Sequence, residues 1–101
     1  MLAPDDCASL TDIRQAIDGL DREVLTILGK RMQYVLAASR FKSDAKSIPA
    51  PERVASMLVD RRRWAEENGL DGDFAESLFQ QIISWYIARQ VDYWRAQRGL
   101  Q

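Results

Sequence analysis

The stretch LTDIRQAIDGLDREVLTILGKRMQYVLAASRFK, residues 10–42, decides the fold of this 101-residue chain. It contains no proline, and apolar side chains recur at alternating spacings of three and four, at Leu10, Ile13, Ile17, Leu20, Val24 and Ile27. This spacing predicts one amphipathic helix whose stripe is close to a heptad seam. A helix of about 32 residues is about 48 Å long. We expect Ser9 or Thr11, together with Asp12, to cap its first turn.

A loop and a second, shorter helix are predicted next. Residues 43–51, SDAKSIPAP, are rich in turn formers and include two of the three prolines, so they predict a loop. Pro51 suits the first position of a helix, where a missing N–H costs no hydrogen bond. The segment ERVASMLVDRRRWAEEN, residues 52–68, is predicted to form that helix. Gly69 is expected to end it, because glycine adopts the left-handed conformation common just after a helix C-terminus.

A third helix is predicted over about residues 74–98, with Asp71 or Asp73 as its N-cap. Its centre, IISWYIA at residues 82–88, is apolar nearly all round, which indicates burial on several faces. No alternating strand pattern interrupts the helices. The sequence therefore predicts a single all-α domain over residues 1–101, built from a long, a short and a long helix.

The apolar faces of these helices favour pairing between chains. Two long helices with only one short companion carry more apolar surface than a chain of this size covers by itself. We therefore expect a homodimer, since exposed seams of this size normally mark an interface between copies. The alternative is a lone antiparallel hairpin with a poor core.

Composition excludes several classes of function. The 14 basic and 15 acidic side chains give a net charge of −1, which provides no overall field for nucleic acid or an anionic membrane. No stretch approaches the roughly 20 apolar residues of a membrane span. The N-terminus also lacks the pattern of a secretory signal, so we expect a cytoplasmic protein. Cys7 is the only cysteine and histidine is absent, so we expect neither a metal site nor a cofactor.

Cationic side chains stand where the apolar pattern predicts leucine. The next position of the apolar stripe after Ile27 is Arg31. A charged arginine is costly on an apolar face unless its guanidinium extends to water, pairs with a glutamate or binds an anion. On an ideal helix Lys42 lies about 20° around and about 16 Å along from Arg31. Arg14 lies about 25 Å away in the other direction, so only an antiparallel partner helix brings it close to Arg31. The pattern suits a small dianion held between two chains.

Two further polar residues are candidates for a binding site. Arg53 stands at the start of the second helix, and Gln90 follows an apolar run where an amide invites a hydrogen-bonding role. The alternative for Gln90 is a place on a solvated edge. The other arginines considered are expected to be ordinary solvated charges: Arg61, Arg62, Arg63, Arg95 and Arg98. Four aromatic side chains are expected to pack the core: Trp64, Trp85, Tyr86 and Trp94.

Five segments, in order along the chain, resemble a known family. They are DIRQAID around Arg14, LGKRMQYVLAASRFK at 28–42, IPAPERVASML around Arg53, WAEENGLD at 64–71 and QIISWYIARQVDYWR at 81–95. Together they resemble the all-helical chorismate mutase family. The resemblance is strongest to its isochorismate-pyruvate lyases, which make salicylate for siderophores such as pyochelin.

The resemblance implies an intertwined homodimer of the chorismate mutase type II fold, with two equivalent pockets. Each pocket would use Arg14 from one chain and Arg31, Lys42 and Gln90 from the other. Arg53 would help to hold a carboxylate, and the loop after Lys42 would act as a lid. The positions implied to form apolar walls are Ala38, Met57, Ile83 and Ile87.

The implied reaction is the pericyclic cleavage of isochorismate to salicylate and pyruvate. It needs no nucleophile, metal or general base, which agrees with the absence of histidine. Arg14 and Arg31 would hold carboxylates, and Lys42 would lie beside the breaking ether bond. Gln90 would donate a hydrogen bond to the ether oxygen or a nearby carboxylate.

One position distinguishes lyase from mutase in this family. Mutases carry a glutamate just after the arginine of the second helix, and this chain has Val54 there. An apolar residue favours the lyase, with weak chorismate mutase activity as a side reaction. The alternatives are a dedicated chorismate mutase, and a non-catalytic helical dimer module in which the arginines form salt bridges between chains.

Overall fold

The computed structural model describes residues 2–48 and 50–99. The α-helices follow one another as long, short and long: α1 spans Leu10–Ala38, α2 spans Pro51–Glu67 and α3 spans Gly72–Gln97. Short 3-10 helices lie at Pro4–Asp6, Ser39–Phe41 and Ala45–Ser47. Every regular element in the described ranges is helical, which confirms the all-α prediction. Pro49, the first proline of the predicted loop, lies outside the described residues.

α1 begins where the sequence predicts, because two side chains cap its first turn. The Ser9 hydroxyl accepts a hydrogen bond from the Asp12 N–H at 3.1 Å. The Asp12 carboxylate accepts in return from the Ala8 N–H at 2.9 Å. Two backbone donors that have no partner inside the helix are thereby satisfied, in the manner of a capping box.

α1 ends at Ala38, earlier than predicted. The Ser39 hydroxyl donates to the Leu36 carbonyl at 2.6 Å, and a 3-10 turn replaces the last α-helical turn before Lys42. Serine side chains compete in this way with the α-helical hydrogen-bond ladder. The angle between Arg31 and Lys42 calculated for an ideal helix therefore does not apply.

The predicted apolar stripe of α1 is exposed. None of the α1 side chains is buried. The exposed fractions of the stripe residues run from 42% to 61%; these residues are Leu10, Ile13, Ile17, Leu20, Val24 and Ile27. A continuous apolar strip of this kind on a helix is typical of an interface.

α2 and α3 form a helical hairpin. Pro51 is the first residue of α2, as predicted, and Gly69, with φ of 75°, follows its end in the left-handed conformation. The Asp71 carboxylate accepts from the Phe74 N–H at 2.9 Å and caps α3, which begins at Gly72. The chain divides after residue 33 into two compact units, and this hairpin lies in the second, the C-terminal unit.

The core of the C-terminal unit lies along one face of α3. Ile83, Tyr86 and Trp94 are all buried on this helix. Trp64 and Trp85 remain 45% and 58% exposed in the single chain, so the prediction of aromatic core packing holds for Tyr86 and Trp94 only. Segment 82–88 accordingly buries one face rather than several within the chain.

Arg62 links α2 to the first turns of α3, which corrects its prediction as an ordinary solvated charge. Its NH1 atom lies 2.6 Å from an oxygen of Asp73 and 3.0 Å from one of Glu76. Its Nε lies 3.8 Å from Glu66 on its own helix. The hydrogen bond and charge of Asp73, followed by those of Glu76, raise the pKa of Arg62 above its ordinary value.

Replacing Arg62 with methionine is expected to lower the melting temperature more than the matched change Arg63→Met. In the part of the chain that the structure describes, Arg63 pairs only with Asp60 and Glu67 on its own helix, whereas Arg62 joins two helices. A raised pKa means that the stabilising charge is lost only as pH rises through that value. The difference in melting temperature between the two variants should therefore be the same at neutral and at mildly alkaline pH. Thermal unfolding followed by circular dichroism measures it, and equal melting temperatures for the two variants would contradict the link between helices.

Among the described residues, no helix is both long and apolar enough to cross a membrane.

Candidate active site

Lys42 lies where the chain leaves the 3-10 helix Ser39–Phe41. Its backbone is extended, with φ of −100° and ψ of 126°, and its N–H donates to the Ser39 carbonyl at 3.2 Å. The residue is half-buried, and its Nζ lies 3.5 Å from the Ser47 carbonyl. An ammonium group has three donors. Among the described residues this is the one contact of the ammonium, and it leaves most of the hydrogen-bonding capacity of Lys42 available to a ligand.

α3 holds the backbone of Lys42. The Trp94 indole N–H donates to the Lys42 carbonyl at 3.0 Å, and an Arg98 guanidinium nitrogen donates to the same oxygen at 3.1 Å. Trp94 is 7% exposed. Arg98 was predicted to be an ordinary solvated charge, and this hydrogen bond corrects that prediction. Both residues are contacts of the site that the sequence does not predict.

Gln90 is buried, with 6% of its surface exposed. The alternative of a solvated edge is therefore wrong. It lies one helical turn before Trp94 and one turn after Tyr86, on the buried face of α3. Its amide offers both a donor and an acceptor on this face. A buried amide is favoured when it is hydrogen-bonded, so Gln90 is suited to binding a polar ligand.

The predicted apolar wall residues differ in burial. Met57 on α2 and Ile83 on α3 are buried, and Ala38 and Ile87 are half-buried. α3 packs against α2 and against both 3-10 helices that flank Lys42. Gln90, Met57, Ile83 and Ile87 therefore lie on two helices that contact each other, and Lys42 lies between two 3-10 helices that contact α3.

The predicted arginines are spread over both units. Arg53 is exposed in the first turn of α2, beside half-buried Val54, in the C-terminal unit. Arg14 is exposed and Arg31 is half-buried, and both lie on α1 in the N-terminal unit. Seventeen residues of one continuous helix separate them by about 25 Å. A single chain therefore does not bring Arg14 and Arg31 to one small ligand.

A groove on the N-terminal unit is a poor candidate for the same ligand. It is lined by Leu2, Asp12, Gln15, Ala16, Gly19 and Glu23. It contains none of the predicted site residues, and its charged side chains are the carboxylates Asp12 and Glu23. Like charges repel, so this groove does not suit a dianion.

The loop after Lys42 has internal structure. The Asp44 carboxylate accepts from the Ser47 N–H at 2.9 Å, and the Ser47 hydroxyl donates to the Asp44 carbonyl at 2.8 Å. Ile48 is 4% exposed and attaches the loop to the core. Residues 44–48 thus form a turn with its own hydrogen bonds, and the action of the loop as a lid stays a prediction.

Comparison with known proteins places these features in a family. The model of chorismate mutase type II matches residues 13–91. The chain is 62% identical over 99 residues to the isochorismate pyruvate lyase of Pseudomonas aeruginosa, and the match covers 98% of each protein. It is 38% identical over 77 residues to the T-protein of Enterobacter agglomerans and 36% over 86 residues to that of Haemophilus influenzae. Those two matches cover 75% and 84% of this chain but 21% and 23% of the T-proteins.

Proposed function

Because this chain belongs to the chorismate mutase type II family, we propose that it is an isochorismate pyruvate lyase, which cleaves isochorismate to salicylate and pyruvate. The observation that carries the proposal is the 62% identity to the Pseudomonas aeruginosa lyase over 98% of both proteins. The C-terminal unit supports it with a cation at Lys42, a buried amide at Gln90 and apolar walls. This set of groups suits a small, ring-shaped dianion.

The proposed chemistry is a rearrangement of electrons within the substrate. The hydrogen on ring C2 moves to the enolpyruvyl methylene as the ether C–O bond breaks, and the ring becomes aromatic salicylate while the side chain leaves as pyruvate. All atoms come from isochorismate. The protein contributes by holding the reactive conformer and by stabilising negative charge that develops on the ether oxygen.

Lys42 and Gln90 are the proposed catalytic residues. The Lys42 ammonium lies beside the breaking ether bond and neutralises the developing charge. Gln90 donates a hydrogen bond to the ether oxygen or to the neighbouring carboxylate. In a dry pocket both interactions are stronger than in water, and the burial of Gln90 supports such an environment.

Arg14, Arg31 and Arg53 are the proposed carboxylate-binding residues. A planar guanidinium matches a carboxylate through two parallel hydrogen bonds, which gives both affinity and orientation. Because Arg14 and Arg31 are about 25 Å apart on α1, they serve one substrate only when they come from different chains.

The proposed assembly is an intertwined homodimer with two shared pockets. Its support is the exposed stripe of α1, which lies on the same helix as Arg14 and Arg31. Antiparallel pairing of two α1 helices covers the stripe and brings Arg14 of one chain close to the Arg31 of the other. The dimer thereby provides the apolar contact and completes the cationic site.

The cellular setting is part of the proposal and follows from the resemblance. We place the reaction in the cytoplasm, with salicylate as a precursor of a siderophore such as pyochelin. Weak chorismate mutase activity is also proposed, since both substrates must fold into similar conformers. We expect the mutase activity to be the minor one, because Val54 replaces the glutamate of typical mutases.

The purified protein is expected to convert isochorismate rapidly to salicylate and to form little prephenate from chorismate. Salicylate fluorescence, pyruvate release and a prephenate assay, run on each substrate separately, measure the two activities against the uncatalysed rates. Prephenate as the dominant product would replace the lyase by a dedicated mutase. Absence of both products would favour the non-catalytic dimer module.

A further inference from the structure

We propose that Trp94 and Arg98 are positioning residues that fix the place from which Lys42 reaches the substrate. This inference rests on the proposed function, since it assigns a role within the same site. Neither residue needs to touch the substrate for the role. Each acts through the backbone carbonyl of Lys42, to which both donate hydrogen bonds.

Both donors are themselves held in place. The Trp94 ring is buried, so its N–H has little freedom to leave the carbonyl. The Arg98 guanidinium carbon lies 4.1 Å from the centroid of that ring, in a cation–π contact. A second Arg98 nitrogen lies 3.4 Å from the Trp94 carbonyl, which fixes the guanidinium at another point. The Lys42 carbonyl therefore accepts from two donors that are each held in place, which its two lone pairs permit.

Lys42 needs such an anchor because of where it lies. It is the first extended residue after the Ser39–Phe41 3-10 helix, so the backbone hydrogen bonds of that helix no longer hold its carbonyl. Its side chain has four rotatable bonds, and the position of Nζ follows any rotation of the backbone. Displacement of a catalytic group by about 1 Å is enough to cost a large part of its effect.

The same helix also positions Gln90. Gln90 and Trp94 are four residues apart on the buried face of α3, which separates them by about 6 Å along the axis. α3 thus holds the Gln90 amide directly and the Lys42 backbone through Trp94. One rigid element thereby sets the spacing between the two proposed catalytic groups.

The change Trp94→Phe tests this role because it removes the N–H and keeps most of the ring. We expect kcat on isochorismate to fall about 3- to 10-fold with little change in KM, since a net hydrogen bond of ordinary strength is lost. Arg98→Met should lower kcat in the same direction, and Arg98→Lys should restore part of it. Arg95→Met is the matched control, because Arg95 is exposed on the same turns of α3, and it should keep wild-type kcat.

A double-mutant cycle separates positioning from general loss of stability. In a Lys42→Ala background, Trp94→Phe is expected to cause no further loss of kcat, because there is no ammonium left to position. An equal fractional loss in both backgrounds, or a wild-type kcat in both Trp94→Phe and Arg98→Met, would overturn the proposal. Arg98 is exposed, so its variants keep the test valid even if Trp94→Phe folds poorly.

Hydrogen exchange tests the anchoring apart from catalysis. Backbone amides of residues 42–48 are expected to exchange faster in Trp94→Phe and Arg98→Met than in wild type and Arg95→Met. Unchanged exchange in both variants would overturn the anchor. A wild-type protein that makes no salicylate would instead contradict the proposed function, which this measurement does not require.

Discussion

Replacing Lys42 with alanine is expected to lower kcat on isochorismate by about 100- to 1,000-fold, the typical loss when one group that stabilises transition-state charge is removed. The fold should persist, because within residues 2–48 and 50–99 the Lys42 side chain makes only a 3.5 Å contact with the Ser47 carbonyl. The hydrogen bonds from Trp94 and Arg98 reach the backbone and survive the change. KM should change much less than kcat if Lys42 acts mainly in the transition state.

Lys46→Ala is the matched control for this variant. Lys46 lies four residues along the same loop and is exposed, so its replacement removes one positive charge near the site without touching the proposed ether-oxygen contact. Steady-state kinetics and melting temperature should be compared for the two variants. Wild-type turnover in Lys42→Ala, or an equal loss in Lys46→Ala, would show that the ammonium of Lys42 has no special role.

The second large effect concerns the sharing of pockets between chains. Arg14→Ala and Lys42→Ala proteins, each nearly inactive alone, are expected to regain about one quarter of wild-type activity when unfolded and refolded together at equal amounts. Random pairing makes half of the dimers mixed. In a mixed dimer one of the two pockets receives both intact residues, and the other receives neither.

Lys42→Ala refolded with Gln90→Leu provides the control. In the proposed dimer Lys42 and Gln90 of one pocket come from the same chain, so every pocket of that mixture lacks one of them. Its activity should stay near that of the separate variants. Recovery in both mixtures, or in neither, would contradict the proposed division of the site between chains. Size-exclusion chromatography with light scattering should confirm that the mixtures contain dimers.

Periodicity predicts most of this fold because each helix carries its own local signals. The starts of α1 and α2 follow from Ser9 with Asp12 and from Pro51, and the end of α2 follows from Gly69. The end of α1 could not be predicted in this way. The pattern of apolar residues continues past Ala38, but the Ser39 hydroxyl donates a hydrogen bond to the Leu36 carbonyl. The spacing of apolar residues does not reveal where a side chain competes with the backbone for a hydrogen-bond acceptor.

The site is predictable only in part from the sequence. Lys42 and Gln90 stand out as polar groups beside apolar runs, and the structure places them on contacting elements. Trp94 and Arg98 are missed because their partner is a backbone carbonyl 52 and 56 residues away, which no side-chain pattern encodes. Their four-residue spacing at the end of α3 was the available signal, since it stacks Arg98 at the C-cap on Trp94. The positions of Arg14 and Arg31 around one ligand stay a prediction, because they require a second chain.

The exposed stripe of α1 also bears on how the protein is made in the cell. At 29 residues the helix is about 44 Å long, and none of its side chains is buried within its own chain. Under the proposed pairing, a newly synthesised chain presents this strip until it meets another copy, so assembly competes with aggregation and with capture by chaperones. Pairing is second order in chain concentration, whereas folding of the α2–α3 hairpin is first order. The level of expression therefore sets how long α1 of each new chain remains uncovered.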